Sequence, residues 1–286
     1  LVALTNNELI GAKDPLGIRP LVLGHLDGNY ILSSETCALD LIGATFVREI
    51  ENGEIVVITK NKIESIKPFP ACSPRPCIFE YIYFSRPDSI LGGLSVYNCR
   101  KAFGIQLAKE ASLEADMVMP VPDSGVPASI GFAEQSDIRF ETGIIRNHYV
   151  GRTFIEPTQN IRSLGVKLKL SSTKSILKNK SIILIDDSLV RGTTCSKIVK
   201  MLYKAGAKQV HVRIACPEIK YPDFYGVDMP TKKELLSSNK NTSEISDFLG
   251  AASCKFLSID GLYRALLKEK RNSNYPQFSD HYFTGE

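Results

Sequence analysis

The chain has 286 residues, 43% hydrophobic and 23% charged, the composition of a folded protein with a sizeable core; this excludes a disordered tract or a disulfide-stapled miniprotein. Its net charge of +4, from 35 basic and 31 acidic residues, is too slight to imply nucleic-acid binding. No run approaches the roughly 18 apolar residues of a membrane span, and the opening residues carry neither a basic leader nor a small-residue cleavage site. Seven scattered cysteines without a C-x-x-C pair suit reduced thiols, so a soluble, cytoplasmic protein is expected, with no membrane or nucleic-acid partner. The chain begins at Leu1 rather than Met and its first residues read as the interior of a domain, so a fragment is expected.

Residues 1 to 67 alternate short apolar runs with turn signals (NNE at 6–8, DPLG at 14–17, LDGN at 26–29, ENGE at 51–54), which predicts a β-rich region. Around Asp27-Gly28-Asn29, the flanks LVLGHL and YILSS predict a hairpin whose turn needs positive φ. The stretch IKPFPACSPRP then supplies four prolines in eleven residues. Neither a helix nor a central strand tolerates that density, and we place a domain boundary at 74/75.

Beyond it the period changes. Val96, Cys99, Phe103 and Leu107 recur at helical spacing, and MVMPV at 117–121 predicts a buried strand. Between Arg146 and Lys180 eight Lys/Arg face a single acid, Glu156, which reads as a solvated surface or as a site for a polyanion. A strand at 181–185, a helix carrying Ile198, Val199 and Leu202 with Gly206 as its cap, and a strand at 209–216 complete a βαβ unit. The second domain is therefore expected to be α/β with a largely parallel sheet, its ligands gathered at the carboxyl ends of the strands.

The sharpest signal runs from Ile182 to Thr194, IILIDDSLVRGTT, a buried strand ending in two acids and a small-residue loop. Adjacent Asp186 and Asp187 at a strand end can address a sugar diol and a cation. The Gly192-Thr193-Thr194 amides and hydroxyls, opening a helix, can cradle a phosphate with the help of the helix dipole. Helix capping alone would account for any one of these residues, but not for the whole string.

DDSLVRGTT resembles the phosphoribosylpyrophosphate (PRPP) loop of type I phosphoribosyltransferases, in the form found in the amidophosphoribosyltransferase family. SSETCALD at 33–40, EYIYFSRPDS at 80–89, NHYVGRTFI at 147–155 and PEIKYPDFYGVDMPTKKEL at 217–235 are similar to the same family. The resemblance implies a type I phosphoribosyltransferase domain at 75–286, preceded at 1–74 by the later part of a β-rich, N-terminal-nucleophile glutamine amidotransferase (type 2) domain. It implies a pentosyltransferase of the first committed step of purine nucleotide (IMP) synthesis, in which ammonia from glutamine displaces pyrophosphate from PRPP to give 5-phosphoribosylamine. By position, Asp186 and Asp187 would meet the ribose hydroxyls and Mg²⁺, while Ser188, Arg191, Gly192, Thr193 and Thr194 would hold the 5′-phosphate. VPDSGVP at 121–127 resembles the pyrophosphate loop, with Asp123 as a substrate contact and Ser124 at a metal position. Arg152, Lys167 and Lys169 would belong to a flexible loop that closes over PRPP and helps form an ammonia passage. A homotetramer and purine nucleotide feedback inhibitors are further implications.

The chain also departs from the family. The nucleophilic cysteine of the glutaminase is not in it, and Cys37, with no activating base nearby in sequence, reads as a structural thiol. Some members hold an iron–sulfur cluster on four cysteines; Cys77 stands at the first ligand position, Asp223 at the second, and the tail has no cysteine, so no cluster is expected. Three other readings carry the same loop: a PRPP-sensing regulator, which would need a nucleic-acid-binding domain; a salvage phosphoribosyltransferase acting on a nucleobase; and an inactive remnant. Residues 1–67, as half of a domain, are expected to be less stable than the 181–216 core.

Overall fold

The computed structural model describes residues 1–147, 170–227 and 231–286. The chain packs as two units, one of Leu1–Cys99 with Arg271–Asp280 and Glu286, the other of Arg100–Lys270 with His281–Gly285.

In the first unit the alternating pattern forms two antiparallel sheets. One has the order Val2–Leu4, Leu9–Ala12, Ile55–Ile58, Ile63–Ile66, and the other the order Asn29–Ser33, Val22–Leu26, Thr45–Glu49. Leu26 pairs with Asn29, so the hairpin turn is the two residues Asp27-Gly28, at φ 48° and 81°, as the twist of a tight hairpin requires. Leu21, Leu23, Ile50, Val56 and Ile58 form one core, to which both sheets contribute. Val22, alternating with Leu23, points the other way and meets Leu39 of the short helix Thr36–Leu41. Gly24 lets that helix approach, since a Cβ there would stand 2.5 Å from a Leu39 methyl.

Past the prolines the chain returns to this unit. The Arg75 and Cys77 amides donate to the carbonyls of Leu16 and Ile18 at 2.7 and 3.1 Å, and Cys77 bridges in parallel to Ser279. Arg19 pairs with Glu80 at 2.7 Å. The packing division thus falls at Cys99, later than the 74/75 boundary. The prolines mark an extended stretch, whereas hydrogen bonding decides with which body the next segment packs.

The second unit is built on a four-stranded parallel sheet in the order Met117–Pro120, Ser181–Asp186, Gln209–Ile214, Ser253–Phe256. Ile182 to Ile185 are fully buried, as the continuous apolar run of a central parallel strand demands. The predicted βαβ unit forms with the helix Thr193–Lys204, whose Cys195, Ile198, Val199 and Leu202 are buried, and Gly206 lies just past its end at φ 101°. The helix Val126–Ser136 follows the first strand, and the chain then makes a parallel bridge, Phe140 to Val118, on the side of that strand away from Ser181–Asp186. Successive connections therefore leave Met117–Pro120 in opposite directions. In a doubly wound sheet such a switch point opens a crevice at the carboxyl ends of the two central strands, here between residues 121–125 and 186–192.

Two glycines bring the helices Val96–Ala111 and Val126–Ser136 to backbone contact. A Cβ on Gly104 would stand 1.8 Å from the Ala128 carbonyl oxygen, and one on Gly131 2.0 Å from that of Lys101. A two-stranded ribbon, Ile144–Arg146 with Leu170–Ser172, pairs Arg146 with Leu170. Among the described residues no helix is long and apolar enough to cross a membrane.

Candidate functional site

The switch-point crevice is where the predicted residues converge. The Val121 amide donates to the Ile185 carbonyl at 2.8 Å, and Gly125 passes so close that a Cβ would stand 2.5 Å from the same oxygen. The loop after the first strand is thereby seated on the end of the second, with the Pro122–Asp123 peptide in the cis form.

Asp187 is buried, and its carboxylate is supported by the hydroxyls of Ser124, from the first loop, and Ser188, from its own. Asp186 accepts the Asp187 amide at 3.0 Å through Oδ1. Burial, and after it the neighbouring Asp187 charge, push the Asp186 carboxyl well above the ordinary carboxylate range. Burial also raises Asp187, while Ser124, Ser188 and the charge of Arg100 pull it part of the way back. Two carboxylates held this way are poorly accommodated as a dianion without a cation. Two carboxylates and a hydroxyl form an all-oxygen donor set of the kind Mg²⁺ takes while keeping water and substrate oxygens. The chemistry of the set fits the implied ion.

One turn further on, Gly192 adopts φ 71° and opens the helix Thr193–Lys204, which has no side-chain cap. A Cβ at Gly192 would also stand 2.7 Å from a Leu236 methyl, so both conformation and space select glycine. Thr193 and Thr194 are exposed at that helix start, where the first amides lack intrahelical acceptors. Arg191 is exposed and donates through Nε to Glu234 Oε1 at 3.2 Å. Asp123, at the tip of the other loop, is paired with Arg146 at the end of the antiparallel ribbon. Asp186, Asp187, Ser188 and Ser124 are thus brought together, with Gly192, Thr193 and Thr194 beside them on the same loop. Arg152, Lys167 and Lys169 lie outside the described residues, as do all of NHYVGRTFI except Asn147.

Sequence reasoning did not single out Arg100, Arg146 or Glu234, whose charges act on the predicted residues Asp187, Asp123 and Arg191. Arg100 had a signal: it follows Val96 by four residues on a stripe continued by Phe103 and Leu107, and it is buried there. A charge on a core-facing stripe points to a buried partner. Glu234 lay in the family-like 217–235 segment, but nothing there pointed to Arg191, 43 residues away. Cys37 is buried with its thiol pushed up, first by burial, in keeping with a structural role. Asp223 accepts the Tyr225 and Val227 amides of its own loop and faces His281 Nε2 at 2.8 Å.

No protein-family model matches the chain. It is 53% identical to the amidophosphoribosyltransferase of Rhizobium etli, over 100% of this chain and 59% of that protein. It is 49% identical to the chloroplastic amidophosphoribosyltransferase 1 of Arabidopsis thaliana, over 99% of this chain and 50% of that one. Its fold superposes with a TM-score of 0.91 and 44% identity on the glutamine PRPP amidotransferase of B. subtilis complexed with ADP and GMP, covering 100% of this chain and 62% of the other. The chain spans about half to six tenths of the length of the curated relatives it matches. Over all of its own length it is a relative of the amidophosphoribosyltransferases, and its parallel sheet is that of their phosphoribosyltransferase fold.

Proposed function

We propose that this chain transfers a phosphoribosyl group from PRPP to ammonia, as the phosphoribosyltransferase part (residues 75–286) of an amidophosphoribosyltransferase in purine nucleotide synthesis. Residues 1–74 form the later part of its glutamine amidotransferase domain. The observation that supports this most is the joining, at one switch point, of an acid pair, Asp187 buried and Asp186 half-buried, to an uncapped, glycine-led helix start. An acid site and a phosphate site one turn apart match a sugar phosphate.

In the reaction the bond from C1 of the ribose to the pyrophosphate oxygen breaks, a C1–N bond to ammonia forms, and the nitrogen loses a proton. No side-chain nucleophile is needed. Asp186 and Asp187 orient the ribose diol, Thr193, Thr194, Ser188 and the amides after Gly192 hold the 5′-phosphate, and Arg191 adds charge at its rim. Asp123 and Ser124 face the pyrophosphate. Mg²⁺, held by Asp186, Asp187 and Ser124, would supply charge neutralisation of the leaving group. Exclusion of water matters because ammonia competes with it at C1. In the whole enzyme ammonia comes from glutamine, purine nucleotides act as inhibitors, and the protein is a cytoplasmic homotetramer; nucleotides are present in the B. subtilis relative as ADP and GMP.

The test is pyrophosphate release from PRPP by this chain in the presence of Mg²⁺, with ammonia and glutamine offered separately. Release with ammonia and not with glutamine supports the reading. PRPP binding without release from either donor contradicts transfer and favours a binding remnant.

A further inference from the structure

We propose that Glu234 is a positioning residue of the phosphate cradle, acting through Arg191. The inference rests on the reading of the Asp186–Thr194 loop as a phosphoribosyl site, and it assigns a role to a residue outside that loop.

Glu234 is itself fixed. Its amide donates to the Thr231 carbonyl at 2.8 Å, and the Thr231 hydroxyl donates to Glu234 Oε2 at 3.3 Å, so the backbone turn and the hydroxyl set the carboxylate together. Two residues on, the Leu236 amide donates to the Val190 carbonyl at 2.9 Å, one residue before Arg191, while a Leu236 methyl fills the space beside Gly192. The segment carrying Glu234 is thus stitched to the loop on both sides of Arg191. The free oxygen of Glu234, Oε1, then takes the Nε–H of Arg191 at 3.2 Å. Among the described residues that is the hydrogen bond made by the Arg191 side chain, which leaves the four Nη hydrogens available to an anion. A guanidinium held by its Nε edge presents a preset fork, whereas an unheld exposed arginine must lose rotamer freedom when phosphate binds. Supporting groups of this kind act by fixing the orientation of the group that meets the ligand.

The pair is exposed, 53% and 49% at the two side chains, so its contribution is small and must be read through Arg191 rather than through stability. The experiment is calorimetric titration of the 286-residue chain with ribose 5-phosphate and with PRPP, both with Mg²⁺, using Glu234→Ala, Glu234→Gln, Arg191→Ala and the double variant Glu234→Ala/Arg191→Ala. Arg191→Ala is expected to weaken binding about tenfold, as for loss of a charge-assisted phosphate contact. Glu234→Ala is expected to weaken it roughly threefold, with Glu234→Gln, which keeps an acceptor for Nε, near wild type. In the Arg191→Ala background Glu234→Ala is expected to cost nothing further. An equal loss from Glu234→Ala in both backgrounds would overturn the proposal while leaving the phosphate site standing. Tighter binding by Glu234→Ala would overturn it too, making Glu234 a competitor of phosphate. A loss-free Arg191→Ala would instead remove Arg191 from the phosphate site, and this inference with it.

Discussion

The buried acids of the β-rich unit and the acid pair of the α/β unit are handled in opposite ways. In the β-rich unit each buried acid is matched by an arginine. Glu54 takes Arg48 at 2.6 and 2.8 Å and also accepts the Glu51 amide and the Ser65 hydroxyl; Glu80 takes Arg19, and Asp280 takes Arg271, both at 2.7 Å. In the α/β unit Asp186 and Asp187 stand side by side at a strand end, with the Ser124 and Ser188 hydroxyls and the charge of Arg100 pulling Asp187 part of the way back. The first arrangement is complete as it stands. The second is relieved in the free chain by protonation of the raised carboxyls, and on the proposed function a cation and a sugar phosphate would take the place of those protons.

The contrast also fixes opposite signs for the dependence of stability on pH. The Arg48 hydrogen bonds, with further help from the Glu51 amide and Ser65, lower Glu54 from 4.5 to about 2. That group stabilises the native state fully above its unfolded value, and the contribution is lost as pH falls through the acid range toward 2. Asp186 and Asp187 are raised above 3.8, so the native state keeps protons that the unfolded chain has released. Their contribution therefore falls as pH rises from 3.8 through the raised native values.

The largest expected effect is on the matched side. Glu54→Ala leaves Arg48 without its carboxylate and should cost about 3 kcal/mol in urea unfolding; a loss below ~0.5 kcal/mol would remove this pair from the comparison. On the unmatched side, Asp187→Asn keeps the shape but removes a charge, and should reduce Mg²⁺-dependent pyrophosphate release on the order of a hundredfold. Smaller still, Asp186→Asn relieves the like-charge contact and should raise the stability of the unliganded chain by about 1 kcal/mol. The smallest effect is local: amides of residues 1–67 should exchange with solvent faster than those of 181–216. Leu1 and Leu4 are 86% and 79% exposed on or beside an edge strand, whereas Ile182 to Ile185 are fully buried. Equal protection of the two stretches would count against that difference.

What the sequence made legible was local. The run from Ile182 to Thr194 carried its strand, its acids and its helix start within thirteen residues, and the Asp27-Gly28 turn and the 96–107 stripe were equally self-contained. What it hid was long-range. Nothing near Cys77 announces that Ser279 will bridge to it, so the allegiance of residues 77–99 and 271–280 to the first unit could not be read from periodicity. The same holds for Glu234, whose meaning depends on a guanidinium 43 residues away. Arg146 counted only as one charge in a basic segment until the ribbon brought it to Asp123.

The claim that the acid pair is kept unmatched for a ligand is tested most directly by thermal unfolding of the wild type and Asp186→Asn, each alone and with Mg²⁺ and PRPP. The account predicts that the variant melts higher when alone, that the ligands raise the wild type by several degrees, and that they leave the variant almost unmoved, so that the order of stability reverses. A variant that melts lower than wild type when alone, or that gains as much from the ligands, would contradict it.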